Sequence, residues 1–510
     1  MSKPAIVFIG FMGAGKSTAL AAAREAGLNT VEIDELMERE LGKPIREAFE
    51  QDGEEAFRAR EAEVVGELLE NADGGAIALG GGSVLSERVR AALARHTVVL
   101  LEIDAAEAWK RIEGTERPLA TSEADVERLL AKRLPLYEEL ADAVVPMADE
   151  GVVARALSAI QALAEMPEGT RLLWATASSA DYPIFTGRDL LDAGWWPLES
   201  RKFGISDPEV RRLYGKRIPR VEKWLEVVQG EEAKSLPEAE RVLRQLAQAG
   251  MLRDDHLVAL GGGVIGDFAG FCAHAYQRGV PVVHVPTTLV SQVDSAYGGK
   301  TGVDLPEGKN YVGAYHQPAA VLADTATLDT LPAWELRSGF VEALKTGLLA
   351  GGSLWERVRN LEDLREPLDD VVFACARYKC AVVATDERDA GWRNVLNLGH
   401  TIGHAIEGAS TYTQHHHGEA IGLGLLAALR LSDAPGLREE VEQVLRRFDL
   451  PTKFDAEALP VDAILETLQF DKKRTAAGIG FVLLSEPGDP RPGQLIDPDK
   501  VSSAVEELIE

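Results

Sequence analysis

The chain carries little thiol chemistry: Cys272, Cys375 and Cys380 are its only cysteines in 510 residues. An odd number without paired metal-type spacing excludes a disulfide scaffold and fits a reducing compartment. Long apolar runs are missing near the start as well. A lone Lys3 precedes a short apolar run that Gly10 and Gly13 interrupt, too short for a signal or a membrane span. Positive charge is also scarce, with 54 Lys and Arg against 82 Asp and Glu and a formal net charge of −28. Such an acid excess repels nucleic acid and anionic membrane, so small-molecule substrates are expected, and an anionic one must be met by local basic residues. Tandem repeats are absent, and the only biased tract is "HHH" at 415–417. A cytoplasmic location is expected.

What is present describes an enzyme of several domains. The composition, 45% hydrophobic and 27% charged, is that of a globular protein. The length suggests two to four domains at about 150 residues each. Over residues 1–165, short Val/Ile/Leu runs ("AIVFIG", "NTVEID", "GAIALGGG", "TVVLLEI") alternate with helical patterns, the rhythm of βα units around a parallel sheet. "EMPEGT" marks a boundary, a second α/β stretch follows over 166–325, and residues 326–510 read as almost wholly helical.

Gly10-x4-Gly15-Lys16-Ser17 is a P-loop pattern between an expected strand and an expected helix. Its glycines turn backbone N–H groups toward phosphates, Lys16 neutralises the β and γ charges, and the Ser17 hydroxyl can bind Mg²⁺. Gly13 and Thr18 complete the expected ATP-binding set. Asp34 at the end of the second expected strand, Arg58 in "DGEEAFRARE", Gly80, Gly81 and Gly82 in "ALGGGS", Arg117 in "ERPLA" and Arg133 in "AKRLPLYEELAD" follow. Together these resemble shikimate kinase over essentially the first 165 residues. The resemblance implies that Asp34 holds ring hydroxyls and acts as base, and that Arg58 and Arg133 clamp the substrate carboxylate. It also implies that the glycine triplet lines the pocket and that Arg117 belongs to a lid over ATP. Bidentate arginines and one acceptor carboxylate are what a small polyhydroxy acid requires. One departure stands out: the family's Asp-x-Asp is here Glu32-Ile33-Asp34, and the longer Glu32 carboxylate can still reach a water on Mg²⁺.

A second glycine cluster, Gly261-Gly262-Gly263-x-x-Gly266-Asp267, follows "HLVAL" and opens a helix. Lacking a lysine and a hydroxyl at the metal position, it suits a static pyrophosphate better than a transferring phosphoryl group. Further on, His400 and His404 lie four apart and share a helix face, and His417 can return on the next segment. Two histidines and a carboxylate, or three histidines, suit a catalytic zinc; helix-surface histidines give the same spacing.

The dense set "QRGVPVVHVPTTLVSQVDSAYGGKTGVDLPEGKNYVGAYHQP", "GFVEALKTG", "RNVLNLGHTIGHAIEG" and "HHHGEAIGLG" resembles 3-dehydroquinate synthase over residues ~170 to 510. The resemblance implies a Rossmann-like NAD-binding domain over 166–325 and a helical domain for zinc (or cobalt) and substrate over 326–510. Metal ligands fall on Glu342, His400 and His417, with His404 facing substrate, a correction to the spacing argument. NAD contacts fall on Glu231, Lys234, Gly262, Gly263, Asp267, Thr287, Thr288 and Asp294. Substrate contacts fall on Lys300, Lys309, Asn310, Lys345, Lys379, Arg393, Asn397 and either Lys472 or Lys473, with Arg278 supplied by a neighbouring subunit of a homodimer. His404, Lys300 and Arg393 are the expected catalytic side chains of this half, as Lys16, Asp34 and Arg117 are of the other.

The implied chemistry joins two shikimate-pathway reactions. One transfers a phosphoryl group from ATP to shikimate. The other cyclises 3-deoxy-D-arabino-heptulosonate 7-phosphate to 3-dehydroquinate with loss of phosphate, NAD returning unchanged.

Overall fold

The computed structural model describes residues 3–114, 122–410, 416–469, 474–475 and 478–509; Arg117, His415, Lys472 and Lys473 lie outside these. The chain forms two compact units, Met1–Thr176 with Tyr182–Phe185, and Ala177–Asp181 with Thr186–Glu510.

In the first unit, β1 (Ile6–Ile9), β2 (Thr30–Glu32), β3 (Ala76–Ala78), β4 (Thr97–Glu102), β5 (Ala143–Pro146) and β6 (Arg171–Ala175) lie in the order β2-β3-β1-β4-β5-β6. All these pairs are parallel. β1, β3 and β5 are nearly continuous apolar runs because helices cover both faces of such a sheet. The turn after central β1 therefore opens at the carboxyl edge, where the helix Lys16–Glu25 begins. β6 pairs with β5, Ala143 opposite Leu172, which carries this unit's sheet past the "EMPEGT" turn. The expected second-strand end falls slightly early: β2 stops at Glu32, and Asp34 lies in the first turn of the helix Ile33–Leu41. A carboxylate is favoured there by the helix dipole.

β7 (Tyr182–Gly187) starts in the first unit and ends in the second. The second unit's parallel sheet then contains β8 (Lys202–Ser206), β9 (Val221–Glu226), β10 (His256–Gly261) and β11 (Val282–Pro286). The hairpin β12 (Lys300–Leu305) and β13 (Gly308–Tyr315) stands outside that sheet, and β14 (Ala320–Asp324) rejoins it. The order β9-β8-β10-β11-β14 reverses direction between β8 and β10, and the second glycine turn follows β10 at that switch point. Helices Ala333–Ala350, Asp369–Thr385, His400–Ala409 and His417–Leu431 build the next layer around one apolar cluster. The expectation of an almost wholly helical end is corrected by a small antiparallel sheet of Arg474–Thr475, Gly478–Leu484 and Pro490–Leu495. Phe481, Val482 and Leu484 are buried in the helical core, and burial of these side chains holds the strand there.

Candidate active sites

The P-loop is shaped by glycines that no other residue replaces without strain. Gly13 and Gly15 both have φ of 80°, and Gly15 caps the helix Lys16–Glu25 in a left-handed conformation. Lys16 Nζ donates to the carbonyls of Gly10 at 3.0 Å and Phe11 at 2.9 Å, folding across the loop it serves. The Ser17 hydroxyl donates to Glu32 Oε1 at 2.5 Å. The hydroxyl and the carboxylate thus stand together where a hard cation would be flanked. Thr18 continues the helix directly after them.

A cavity of about 430 Å³ joins this loop to the expected acid-binding residues. Lys16 and Ser17 line it together with Asp34, Arg58, Gly80, Gly81, Gly82 and Arg133. Arg58 is steered by Glu61, Nη1 to Oε2 at 2.6 Å, and Glu61 is steered in turn by the Ser83 hydroxyl at 2.8 Å. The buried Arg133 donates to the Gly81 carbonyl at 3.2 Å. Two of the triplet leave room for the side chains that shape the cavity: a Cβ at Gly82 would lie 2.4 Å from Arg58 Cζ and one at Gly80 2.9 Å from Glu61 Oε1, so either would displace its neighbour. Sequence reasoning missed Glu61 and Arg111, which also line the cavity. The i,i+3 spacing of Glu61 from Arg58 was a usable signal; Arg111 had none, since its guanidinium reaches the Gly13 carbonyl from a separate helix.

In the second unit, Lys234 is the hub of the expected dinucleotide residues. Its buried ammonium contacts Asp267 at 2.9 Å, Glu231 at 3.5 Å and the Asn310 side-chain oxygen at 2.5 Å. Burial works against its charge, but Asp267 and Glu231 hold its pKa above the ordinary lysine value. Gly262 and Gly263 admit close neighbours: a Cβ would lie 2.9 Å from Thr288 Cγ2 at the first and 2.8 Å from Ser295 Oγ at the second. Thr288 shares hydrogen bonds with Ser291, and the Thr287 hydroxyl is buried without a protein partner.

Asp294 precedes Ser295, the neighbour of Gly263, and itself reaches two lysines. It lies on a π-helical turn, Ser291–Ser295, with Oδ1 at 3.0 Å from Lys379 Nζ and 4.0 Å from Lys345 Nζ. Lys345 Nζ continues to Glu342 Oε2 at 2.6 Å. Acid and base alternate through this buried chain, so each charge has an opposite partner. Burial opposes ionisation of Asp294, yet Lys379 and Lys345 hold its carboxyl below the usual range. Burial pushes the Lys379 ammonium down, with Arg393 and Lys345 assisting against Asp294.

Glu342, His400 and His417 come from three helices, and one donor atom of each lies within 4.8 Å of the others. Glu342 Oε1 is 3.4 Å from His400 Nε2 and 3.0 Å from His417 Nε2. Burial again opposes the carboxylate charge, but Lys345 and then His400 keep Glu342 well below its usual pKa. His400 Nδ1 faces the Leu398 carbonyl at 3.1 Å, which leaves Nε2 as the ligating nitrogen. Two imidazoles and one carboxylate converging on one point are a fitting donor set for a four-coordinate metal with an open position. His404 shares a helix with His400 but is exposed, its ring centroid 5.1 Å from that of His400.

The remaining expected residues are partly gathered. Lys300 on β12 pairs with Asp389, and Lys309 on β13 approaches Glu231 at 3.8 Å. Arg393 is buried with its donors on the carbonyls of Glu387 at 2.7 Å and Gly298 at 3.0 Å. Asn397 bonds Asn394 at 3.2 Å. Arg278 is not brought to this cluster; it is exposed, with a φ of 69°.

A P-loop cavity with paired arginines, and a doubly wound sheet whose glycine turn accompanies a His₂Glu cluster, define a two-site metabolic enzyme. One site is built for phosphoryl transfer to a small acid and the other for metal-assisted chemistry beside a dinucleotide fold. The family models give the particulars: shikimate kinase matches residues 12–164, and the N- and C-terminal 3-dehydroquinate synthase models match 224–338 and 339–474. The 3-dehydroquinate synthase of Halorhodospira halophila is 41% identical over 335 residues, covering 62% of this chain and 94% of that protein. Among solved structures, ValA (2-epi-5-epi-valiolone synthase) from Streptomyces hygroscopicus, with NAD⁺ and Zn²⁺ bound, is 25% identical with a TM-score of 0.59, over 66% of this chain and 98% of that one. A 2-deoxy-scyllo-inosose synthase complexed with carbaglucose-6-phosphate, NAD⁺ and Co²⁺ is 26% identical with a TM-score of 0.56, over 67% and 100%. The chain belongs to the 3-dehydroquinate synthase family and carries a shikimate kinase domain ahead of it, a bifunctional shikimate-pathway fusion of a kinase and a cyclase. No helix among the described residues is long and apolar enough to cross a membrane.

Proposed function

We propose that the residues of the first cavity phosphorylate shikimate to shikimate 3-phosphate as follows. Arg58 and Arg133 hold the carboxylate by charge-assisted hydrogen bonds. Asp34 accepts the proton of the attacking hydroxyl while its oxygen bonds to the γ-phosphorus and the bond to ADP breaks. Lys16 and the loop N–H groups stabilise the charge that develops on the phosphoryl oxygens. Mg²⁺ held near Ser17 and Glu32 would supply further neutralisation. The supporting observation is the single cavity that Lys16 and Ser17 share with Asp34, Arg58 and Arg133.

In the second unit the proposed reaction is cyclisation of 3-deoxy-D-arabino-heptulosonate 7-phosphate to 3-dehydroquinate. When bound, NAD⁺ supplies a reversible hydride acceptor, and zinc or cobalt on Glu342, His400 and His417 supplies a Lewis acid. Lys345, Lys379, Arg393 and Asn397 orient the substrate carboxylate and hydroxyls, and Lys300, Lys309 and Asn310 hold its phosphate. His404 moves a proton at the ring. The convergence of Glu342, His400 and His417 beside Lys345 supports this reading. Residues 166–325 form the NAD-binding domain, which also lends Lys300, Lys309 and Asn310 to the substrate, and 326–510 form the helical domain for metal and substrate. Arg278, exposed here, serves the site of a second copy in a homodimer. The three free, buried cysteines accord with a cytoplasmic enzyme.

The test is metal add-back to the EDTA-stripped, dialysed protein with NAD⁺ present throughout. Magnesium alone restores phosphorylation of shikimate, and zinc or cobalt alone restores phosphate release from the heptulosonate phosphate. Cyclase activity that returns with magnesium alone removes the His₂Glu reading. A protein that turns over a hexose phosphate lacking a carboxylate in preference to the heptulosonate removes the assigned substrate.

A further inference from the structure

The two histidines of the His₂Glu cluster are held by different devices. His400 has its Nδ1 against a neutral backbone carbonyl, that of Leu398. His417 has its Nδ1 3.3 Å from Oε1 of Glu407, while its Nε2 faces Glu342. Glu407 is 8% exposed and stands on the helix His400–Ala409, one turn beyond His404. The sequence motifs attach no role to it, and neither reaction uses it directly.

We infer that Glu407 is a positioning residue for the metal site, fixing the His417 ring so that Nδ1 carries the proton and Nε2 presents its lone pair beside Glu342 and His400. A neutral imidazole has one lone pair, so whichever nitrogen donates to a carboxylate leaves the other to ligate. The carboxylate also makes the imidazole a stronger donor than a carbonyl partner does. Each histidine is the first residue of its helix, but the His417 side chain is 36% exposed against 12% for His400, so its ring orientation depends more on its contacts with Glu407 and Glu342. This inference rests on the reading of Glu342, His400 and His417 as ligands.

His404, Glu407 and His417 also lie within 4.8 Å of one another by one donor atom each. A second cation there would compete for the Nδ1 position of His417. With Nε2 given to the first metal, it would have to displace the Nδ1 proton, so the geometry favours Glu407 as acceptor.

The experiment is zinc affinity of the full-length protein, measured by competition with a chromogenic chelator, together with the visible spectrum of the cobalt-substituted form. Glu407→Ala is expected to bind zinc about 10- to 100-fold more weakly, the usual effect of losing such a support. Glu407→Gln keeps an acceptor oxygen without the charge and falls between; it carries the test alone if the alanine variant does not fold. Both variants shift the cobalt absorption, whereas urea unfolding of the chelated protein stays near wild type for Glu407→Gln. Zinc affinity within twofold of wild type in both variants overturns the inference. So does a wild-type stoichiometry of two zinc ions per chain that drops to one in Glu407→Ala, since Glu407 is then itself a ligand. His400→Ala is the control: if that variant keeps its metal, the ligand reading fails, and if it alone loses metal, only the role of Glu407 fails.

Discussion

At the residue scale, the two sites contain close approaches where an extra atom must displace a neighbour. Gly82 is the clearest, because a methyl there would lie 2.4 Å from the Arg58 guanidinium carbon. Gly82→Ala is therefore expected to swing Arg58 away from the acid and raise the shikimate KM about 10-fold or more, the loss of one charge-assisted hydrogen bond. The ATP KM should stay near wild type, which steady-state kinetics with each substrate varied will check. A second expectation separates the histidines. His417→Ala should lose bound zinc and cyclase rate together, while His404→Ala should keep its zinc after dialysis and lose rate. The P-loop and the i,i+4 histidines were legible in sequence, since each is a short motif on one element, whereas Arg58 and Arg133 stand on separate helices and were singled out through the resemblance. Arg111 and Glu407 were not singled out, because their partners decide their importance and a lone charged residue on a helix has no distinguishing pattern; Glu61 offered only its i,i+3 spacing from Arg58.

Elements bring those residues together through tight helix contacts. The helices His400–Ala409 and His417–Leu431 approach so closely that a Cβ at Gly424 would lie 2.1 Å from the Gly399 carbonyl oxygen. Gly424→Ala should cost about 1–3 kcal/mol or more by overpacking. Because the clash pushes apart the helices that hold His400 and His417, zinc affinity should fall in the same variant, a coupling that calorimetry and metal titration measure. A variant with native Tm and native zinc content would show that the helices can slide without opening the site. Helical periodicity announced helices here, but not their separation.

For the whole molecule, two compact units imply separable activities. Lys16→Ala should abolish shikimate phosphorylation and leave cyclisation unchanged, as assays of one purified variant will show. Acid stability tests the second unit. His256 and His284 are buried neutral, burial pushing each pKa down to about 4 from an ordinary 6.5. Trp196 Nε1 donates to His256 Nε2 at 2.9 Å, and Ser200 pairs with Nδ1 at 2.8 Å, so the neutral ring is the bonded form. Below pH 6.5 the unfolded chain takes up protons that the folded one refuses until about pH 4. Stability from these histidines is complete above 6.5 and is lost as pH falls toward 4. Urea unfolding across that window should show a smaller loss for His256→Gln than for wild type, and equal slopes would exclude His256 as a source.

By itself, the sequence determined what depends on a few consecutive residues: the phosphate turn, the second glycine turn and the parallel βα rhythm. Backbone conformation over five to eight residues is set by local sterics and hydrogen bonding, so those features are written locally. Only the tertiary structure decided that Asp294 stands between Lys345 and Lys379, and that Lys234 joins Asp267 to Asn310. It also decided that Glu407 backs His417, and that the chain after Gln469 returns as a small sheet. These relations join residues ten or more positions apart on different elements, or rest on side chains buried against a distant core. They follow from how sheets and helices pack, which no local stretch of the chain encodes.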